Sequence, residues 1–293
     1  MEMTLARIEN ANAIDAIAKP LADAVHESLE RVEPLKTALN GTWLGHPLHP
    51  VLTDIPVGAW TAALVMDASA GPHDRDGYGK ATETAIAVGL AGAVGSAITG
   101  LTDWSDTDGG SRRLGLVHGL VNLTATSFYV ASLVARRRGQ QAAGRSYSTV
   151  GYALMLAGAY LGGSLVYKDQ IGVNRAANVE LPNAFTRVAP LAELMDSQPK
   201  AAQIDNTPIV LVRRGEDVFA LVARCAHAGG PLGEGKIEGN AITCPWHGST
   251  FDLATGEVVN GPSAHAQPCL QTRLVDGWVE ARFDPAGHAR SIS

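Results

Sequence analysis

Three cysteines in 293 residues are too few for a disulfide framework, and two of them, Cys225 and Cys244, stand beside histidines at metal-ligand spacing. Cys269 is left over and is expected to be a buried small apolar residue. Charge is also scarce, at 18%, and the net charge of -6 comes with no long basic run. Neutralising phosphates requires clustered Lys and Arg, so no nucleic-acid partner is expected. The opening MEMTLARIENANAID lacks a basic stretch followed by an apolar core, so no secretory signal peptide is expected. It reads as an amphipathic helical segment running to about Leu39, interrupted at Pro20 and Pro34.

What is present is a long Gly/Ala-rich apolar region between residues 51 and 167. Thr84–Thr102, Leu114–Ala135 and Ser146–Tyr167 contain no Asp, Glu, Lys or Arg, and each is long enough to cross a bilayer, which takes roughly 20 apolar residues. Leu48–Ala70 is a fourth candidate, with Asp54 and Asp67 placed near the two interfaces. Small residues at four-residue spacing, Gly92, Ser96 and Gly100 and again Gly158 and Gly162, allow close helix packing in lipid. A soluble domain of buried Ala-rich helices is the alternative.

An even number of spans places both chain ends in one compartment. Which compartment stays open, because the basic flanks balance. One side carries Arg75, Lys80, Arg136, Arg137, Arg138 and Arg145; the other carries Arg31, Lys36, Arg112, Arg113, Lys168, Arg175 and Arg187. The Arg136-Arg137-Arg138 run reads as a cytoplasmic anchor or as a poor twin-arginine signal.

The strongest chemical signal is Cys225-Ala226-His227, sixteen residues, then Cys244-Pro245-Trp246-His247. Each half offers one thiolate and one imidazole, which suits a diiron cluster whose irons take two Cys and two His respectively. Zinc sites usually pair Cys with Cys and His with His, so zinc is disfavoured. Ala228-Gly229-Gly230-Pro231 and Gly248-Ser249 follow the two halves as loops, with glycines that let amide N–H groups approach sulfur. Flanking strands are expected at Pro208–Arg213, Val218–Ala223, Ala241–Thr243, Thr250–Leu253 and Leu274–Phe283.

Over roughly 100 residues this part resembles the Rieske [2Fe-2S] family, through RCAHAGGPL at 224–232 and CPWHGSTFD at 244–252. The resemblance implies a [2Fe-2S] cluster on Cys225, His227, Cys244 and His247, with the Ser249 hydroxyl donating to a cluster sulfide. Gly230 and Trp246 stand where respiratory members place a loop disulfide, so the chain is more similar to Rieske ferredoxins and to the ferredoxin-like domains of ring-hydroxylating oxygenases. Phe251 replaces the tyrosine of high-potential members, which places the midpoint in the lower or middle part of a range of about -150 to +300 mV.

Residues 41–56, GTWLGHPLHPVLTDIP, place His46 and His49 at the start of the first span. They resemble an uncharacterised four-helix membrane-domain family marked by a Gly-His-Pro-x-His-Pro segment, over about residues 35–167. His118 lies inside the third span, where an imidazole is costly and marks a functional site. One reading makes His118 and either His46 or His49 axial ligands of a b-type haem. Another puts a mononuclear metal on His46, His49 and Asp54. The structural alternative has these side chains capping and cross-bonding helices, with Asn122 one turn beyond His118.

The expected architecture is multidomain: an amphipathic segment at 1–40, an all-α four-helix transmembrane domain at 41–167, a linker at 168–183 and an all-β antiparallel Rieske domain at 184–293. The expected function is electron transfer by a membrane-tethered carrier, working with a redox partner protein or a small electron donor or acceptor. The other readings are an oxygenase-related component, a quinol-oxidising subunit, and a non-redox iron or oxidant sensor at the membrane.

Overall fold

The computed structural model describes residues 2–70, 78–177, 179–283 and 291–292, so Arg75 of the basic-flank comparison lies outside the described residues. The chain divides into two compact units. One comprises Met1–Arg31 with Pro47–Ile171, the other Val32–His46 with Gly172–Ser293. The expected segment 1–40 is therefore shared between them.

The first unit contains α1 (Glu2–Glu9), α2 (Asp15–Glu30), α4 (Leu48–Ser69), α5 (Tyr78–Ser105), α6 (Gly109–Arg137) and α7 (Gln141–Tyr167), and α3 (Glu33–Asn40) belongs to the second. Helices α4 to α7 contain the four expected spans, and among the described residues these four are long and apolar enough to cross a membrane. The shortest, α4, has 22 residues and is about 33 Å long, matching a hydrocarbon core of about 30 Å. Their polarity is inverted relative to a water-soluble bundle: Val65, Val94, Leu123 and Leu156 face outward, while Thr99, Ser132, Arg136 and Ser148 are buried. That arrangement suits lipid outside and packed polar contacts inside.

Consecutive helices form two hairpins, α4/α5 and α6/α7, with α4 and α6 meeting through side chains. Trp60 and Tyr129 stack with centroids 3.9 Å apart, and the Arg136 guanidinium donates to Asp67 at 3.0 Å. Arg136 is thus neutralised inside the bundle, which removes it from the expected Arg136-Arg137-Arg138 run as anchor or export signal. The first two helices pack on the α5–α6 end of the bundle, where Ala18 and Ala22 cover Trp104 and Arg113 binds Asp15.

In the second unit, β1 (Thr186–Pro190), β2 (Pro199–Ile204), β3 (Thr207–Arg214), β4 (Asp217–Val222), β9 (Cys269–Val275) and β10 (Trp278–Phe283) form a sheet in the order β1-β10-β9-β4-β3-β2, with β11 (Ser291–Ile292) parallel to β9. A smaller sheet, β5 (Lys236–Glu238), β6 (Ala241–Thr243), β7 (Thr250–Asp252) and β8 (Val258–Asn260), is an antiparallel meander. The expected single strand at 274–283 is a hairpin instead. Asp276 (φ 51°) and Gly277 (φ 79°) make the tight turn that an Asp-Gly pair favours. The expected linker is packed from Gly172 onward: Ala176 is fully buried in the β core, and the Arg175 amide donates to the Ala226 carbonyl.

Candidate cluster site

Two loops with the same backbone plan carry the four expected ligands. The first joins β4 to β5. Its Cys225 amide donates to the Gly230 carbonyl and the Gly229 amide returns to the Cys225 carbonyl, both at 2.9 Å. The second joins β6 to β7, and there the Cys244 amide donates to the Ser249 carbonyl (2.8 Å) while the Gly248 amide returns to Cys244 (3.1 Å). Both closures need a left-handed residue four places after the cysteine, met by Gly229 (φ 79°) and Gly248 (φ 74°). The repeated cysteine-to-glycine spacing therefore builds two matching fingertips.

The loops point their donors at one another. Cys225 and Cys244 are buried, whereas His227 and His247 are half-buried, with ring centroids 5.1 Å apart and planes at 86°. The Cys225 thiol lies within hydrogen-bonding reach of the Cys244 sulfur, and that contact holds Cys244 below the ordinary thiol range and pushes Cys225 above it. The amides of His227 and Ala228 point at the Cys225 sulfur, and those of Trp246 and His247 at the Cys244 sulfur. Such N–H donors stabilise negative charge on sulfur, as a thiolate ligand requires.

Glycine space completes the cradle. A Cβ at Gly230 would lie 2.9 Å from Cys244 Sγ and 3.0 Å from the Trp246 ring. This donor set, two inner thiols and two outer imidazoles with amides aimed at sulfur, fits a [2Fe-2S] cluster.

Gln267 and Ser263, which sequence reasoning passed over, help to hold the loops in place. Gln267 is buried; its Oε1 accepts the Ala226 amide (2.8 Å), and its Nε2 donates to the Val222 (2.6 Å) and Arg224 (2.8 Å) carbonyls. Ser249 is fully buried, and its Oγ accepts the Ser263 amide at 3.2 Å. The Ser249 proton is then free to point elsewhere. Cys269 behaves as expected: it is buried, and burial lifts its thiol to about 12.

The family model of the Rieske [2Fe-2S] domain matches residues 184–272. The anthranilate 1,2-dioxygenase ferredoxin subunit of Burkholderia cepacia is 32% identical over 88 residues, covering 30% of this chain and 82% of that protein. The chain belongs to the Rieske [2Fe-2S] family. The cytochrome bc1 complex Rieske iron-sulfur subunit of Streptomyces lividans is 39% identical over 79 residues, 25% of this chain and 46% of its own length. Among solved structures, the ferredoxin of carbazole 1,9a-dioxygenase from Nocardioides aromaticivorans is 26% identical and covers 34% of this Rieske chain and 99% of its own, with a TM-score of 0.33. A second family model, described as predicted membrane protein (DUF2231), matches residues 45–175, in front of the Rieske domain.

The second candidate set separates. His46 is exposed and belongs with the Rieske unit. His49 and His118 lie together in the helical unit, with ring centroids 6.4 Å apart. Asp54 is exposed and, five residues after His49, stands about 140° round the helix from it, so these side chains do not form the expected 2-His-1-carboxylate set. Among the described residues no three His, Cys, Asp or Glu side chains converge as for a single metal ion.

Proposed function

We propose that this protein is a membrane-tethered one-electron carrier whose cluster is held by Cys225, Cys244, His227 and His247. The single observation that supports it most is the pair of matching loops, each presenting a buried thiol and a half-buried imidazole to the other. Cys225 and Cys244 would hold the inner iron, and His227 and His247 the outer. A [2Fe-2S] cluster supplies reversible one-electron chemistry when bound.

The residues divide the work. The amides of His227, Ala228, Trp246 and His247 set the charge that the sulfurs tolerate. Ser249 supplies a further hydroxyl. His227 and His247, with the exposed Trp246 beside them, form the face at which electrons enter and leave. Because the Burkholderia relative is named as the ferredoxin subunit of a dioxygenase, a redox partner protein is the partner class this reading favours. The helical unit, matched by a membrane-protein family and carrying four bilayer-length helices, fixes the carrier at a cell membrane in a multi-pass arrangement.

The test is EPR of the dithionite-reduced, detergent-purified protein together with iron and acid-labile sulfide analysis. The reading expects equal iron and sulfide and a rhombic signal of low average g, shifted to high field, that Cys244→Ser abolishes. Stoichiometric zinc without sulfide after anaerobic preparation would overturn it.

A further inference from the structure

The helical unit is built as two similar halves. His49 on α4 meets His118 on α6, Trp60 meets Tyr129, and Asp67 meets Arg136. Every one of these contacts joins residues 69 positions apart. The partners on α5 and α7 repeat the scheme. The His49 Nδ1 lies 2.9 Å from the Ser96 carbonyl and the His118 Nδ1 2.9 Å from the Gly158 carbonyl. Four residues beyond each carbonyl is a glycine, Gly100 and Gly162, where a Cβ would come within 2.8 Å and 3.0 Å of the respective histidine ring. Trp60 and Tyr129 are likewise seated on Gly89 and Gly151. The two hairpins thus face each other about an approximate two-fold axis, and the histidine pair lies on it.

That geometry decides the tautomer. A carbonyl oxygen only accepts, so each Nδ1 carries the proton and donates, and each Nε2 is left with its lone pair. Two lone-pair acceptors have no hydrogen bond to offer one another. The Asn122 amide lies 3.3 Å and 3.4 Å from the two nitrogens of His118, so it sits across that ring and along neither lone pair; its shorter bond is to the His118 carbonyl at 2.9 Å. A neutral imidazole whose far nitrogen donates to a carbonyl is the state in which histidine binds metal.

Spacing narrows the ligand. With metal–nitrogen bonds of about 2.0–2.1 Å and ring nitrogens about 1 Å from their centroids, two imidazoles on opposite sides of one ion have centroids roughly 6 Å apart. The observed value is 6.4 Å. A bare ion would have only these two ligands, since no third His, Cys, Asp or Glu joins them among the described residues. A haem iron needs only two axial ligands, because the macrocycle fills the other positions. Cofactor sites in helical bundles are built in this way, from side chains on facing helices, and the neighbouring walls here are the small residues Ser96, Gly100, Gly158 and Gly162.

We propose that His49 and His118 are the axial ligands of one b-type haem held between α4 and α6 inside the helical bundle. The pair lies toward the end of the bundle where α4 begins and α7 ends. The proposal does not rest on the cluster assignment, and the cluster's EPR signal reports on that separately.

The test uses full-length protein purified in detergent from haem-replete cells. A pyridine haemochrome assay is expected to find one haem b per chain, and the oxidised spectrum a six-coordinate low-spin Soret band. His49→Ala and His118→Ala should each reduce haem content to about a tenth or less, while His46→Ala leaves it unchanged. The cluster EPR signal and a monodisperse elution profile show that the variants have folded, and hemin titration of each variant guards against loss during purification. His118→Gly with added imidazole should recover the low-spin band. Absence of haem from the wild type with no low-spin species on hemin titration, retention of haem in either alanine variant, or a histidine-dependent bare metal ion in place of haem would each overturn the proposal.

Discussion

Ser249 is fully buried and its oxygen already accepts the Ser263 amide; in the proposed site its proton would be directed at a sulfur of the cluster. A hydrogen bond of this kind stabilises the reduced state by about 1 kcal/mol, equivalent to about 40 mV for one electron. Ser249→Ala is therefore expected to lower the midpoint potential by about that amount with the cluster retained, as measured by EPR-monitored redox titration. Gln267 is a stronger structural case. Gln267→Leu strips partners from the Ala226 amide and from two carbonyls of the first loop. At about 1–3 kcal/mol for each buried group left unsatisfied, the expected result is a lower melting temperature and faster loss of visible cluster absorption on warming. Gly230→Ala should prevent cluster assembly outright, since its Cβ would press on Cys244 Sγ. At this scale the sequence was most readable where chemistry is rare: one Cys-x-His and one Cys-x-x-His motif single out the candidate site by their residue types. Gln267 and Ser263 could not be read so, because they are common polar residues brought to the loops by chain folding, far from either motif.

Helices and strands show a similar division. The long apolar helices were legible because charge-free length is a property of one segment, and α5, α6 and α7 enclose the three uncharged runs. The Asp276-Gly277 turn was signalled by its dipeptide, but the run 274–283 is apolar enough to pass for one strand. The role of α3 depends on a long-range contact and had no local signal. Thr37 Oγ1 donates to the Asn260 side chain at 2.7 Å, Thr42 Oγ1 to the Ser263 carbonyl at 3.1 Å, and Glu33 accepts from Asn260. Thus α3 braces β8 and the loop that supports Ser249. Thr37→Val removes the donor to Asn260 and should increase amide exchange in β8 and the 261–265 loop, read by hydrogen–deuterium exchange, while β3 and β4 stay protected. In the helical unit, a Cβ at Gly89 would overlap the Trp60 indole at 2.2 Å. Gly89→Ala should therefore lower the detergent-phase melting temperature, whereas Gly79→Ala, which meets nothing within 4 Å, should not.

For the molecule as a whole, the α3 contacts carry a topological consequence. Segment Val32–His46 precedes the first apolar helix and Gly172–Ser293 follows the last, yet the two form one compact unit. If the apolar helices cross a membrane, as proposed, the chain before and after them can share a unit only if the number of crossings is even, which agrees with the four expected spans and would fail for three. This is an independent argument for counting α4, whose Asp54 and Asp67 weaken it as an apolar run. Asp67 is accounted for by its bidentate pairing with Arg136, and Asp54 is exposed near the start of the helix. Composition alone left the compartment open, because the basic flanks balanced; with Arg136 paired inside the bundle, that balance loses a member. Fusing a reporter active only in the cytoplasm to residue 1 and, separately, to residue 293 should give the same result in both positions, and a reporter in the α4–α5 connection or the α6–α7 connection the opposite one. Unlike signals from the two ends would show an odd number of crossings and remove α4 from the membrane.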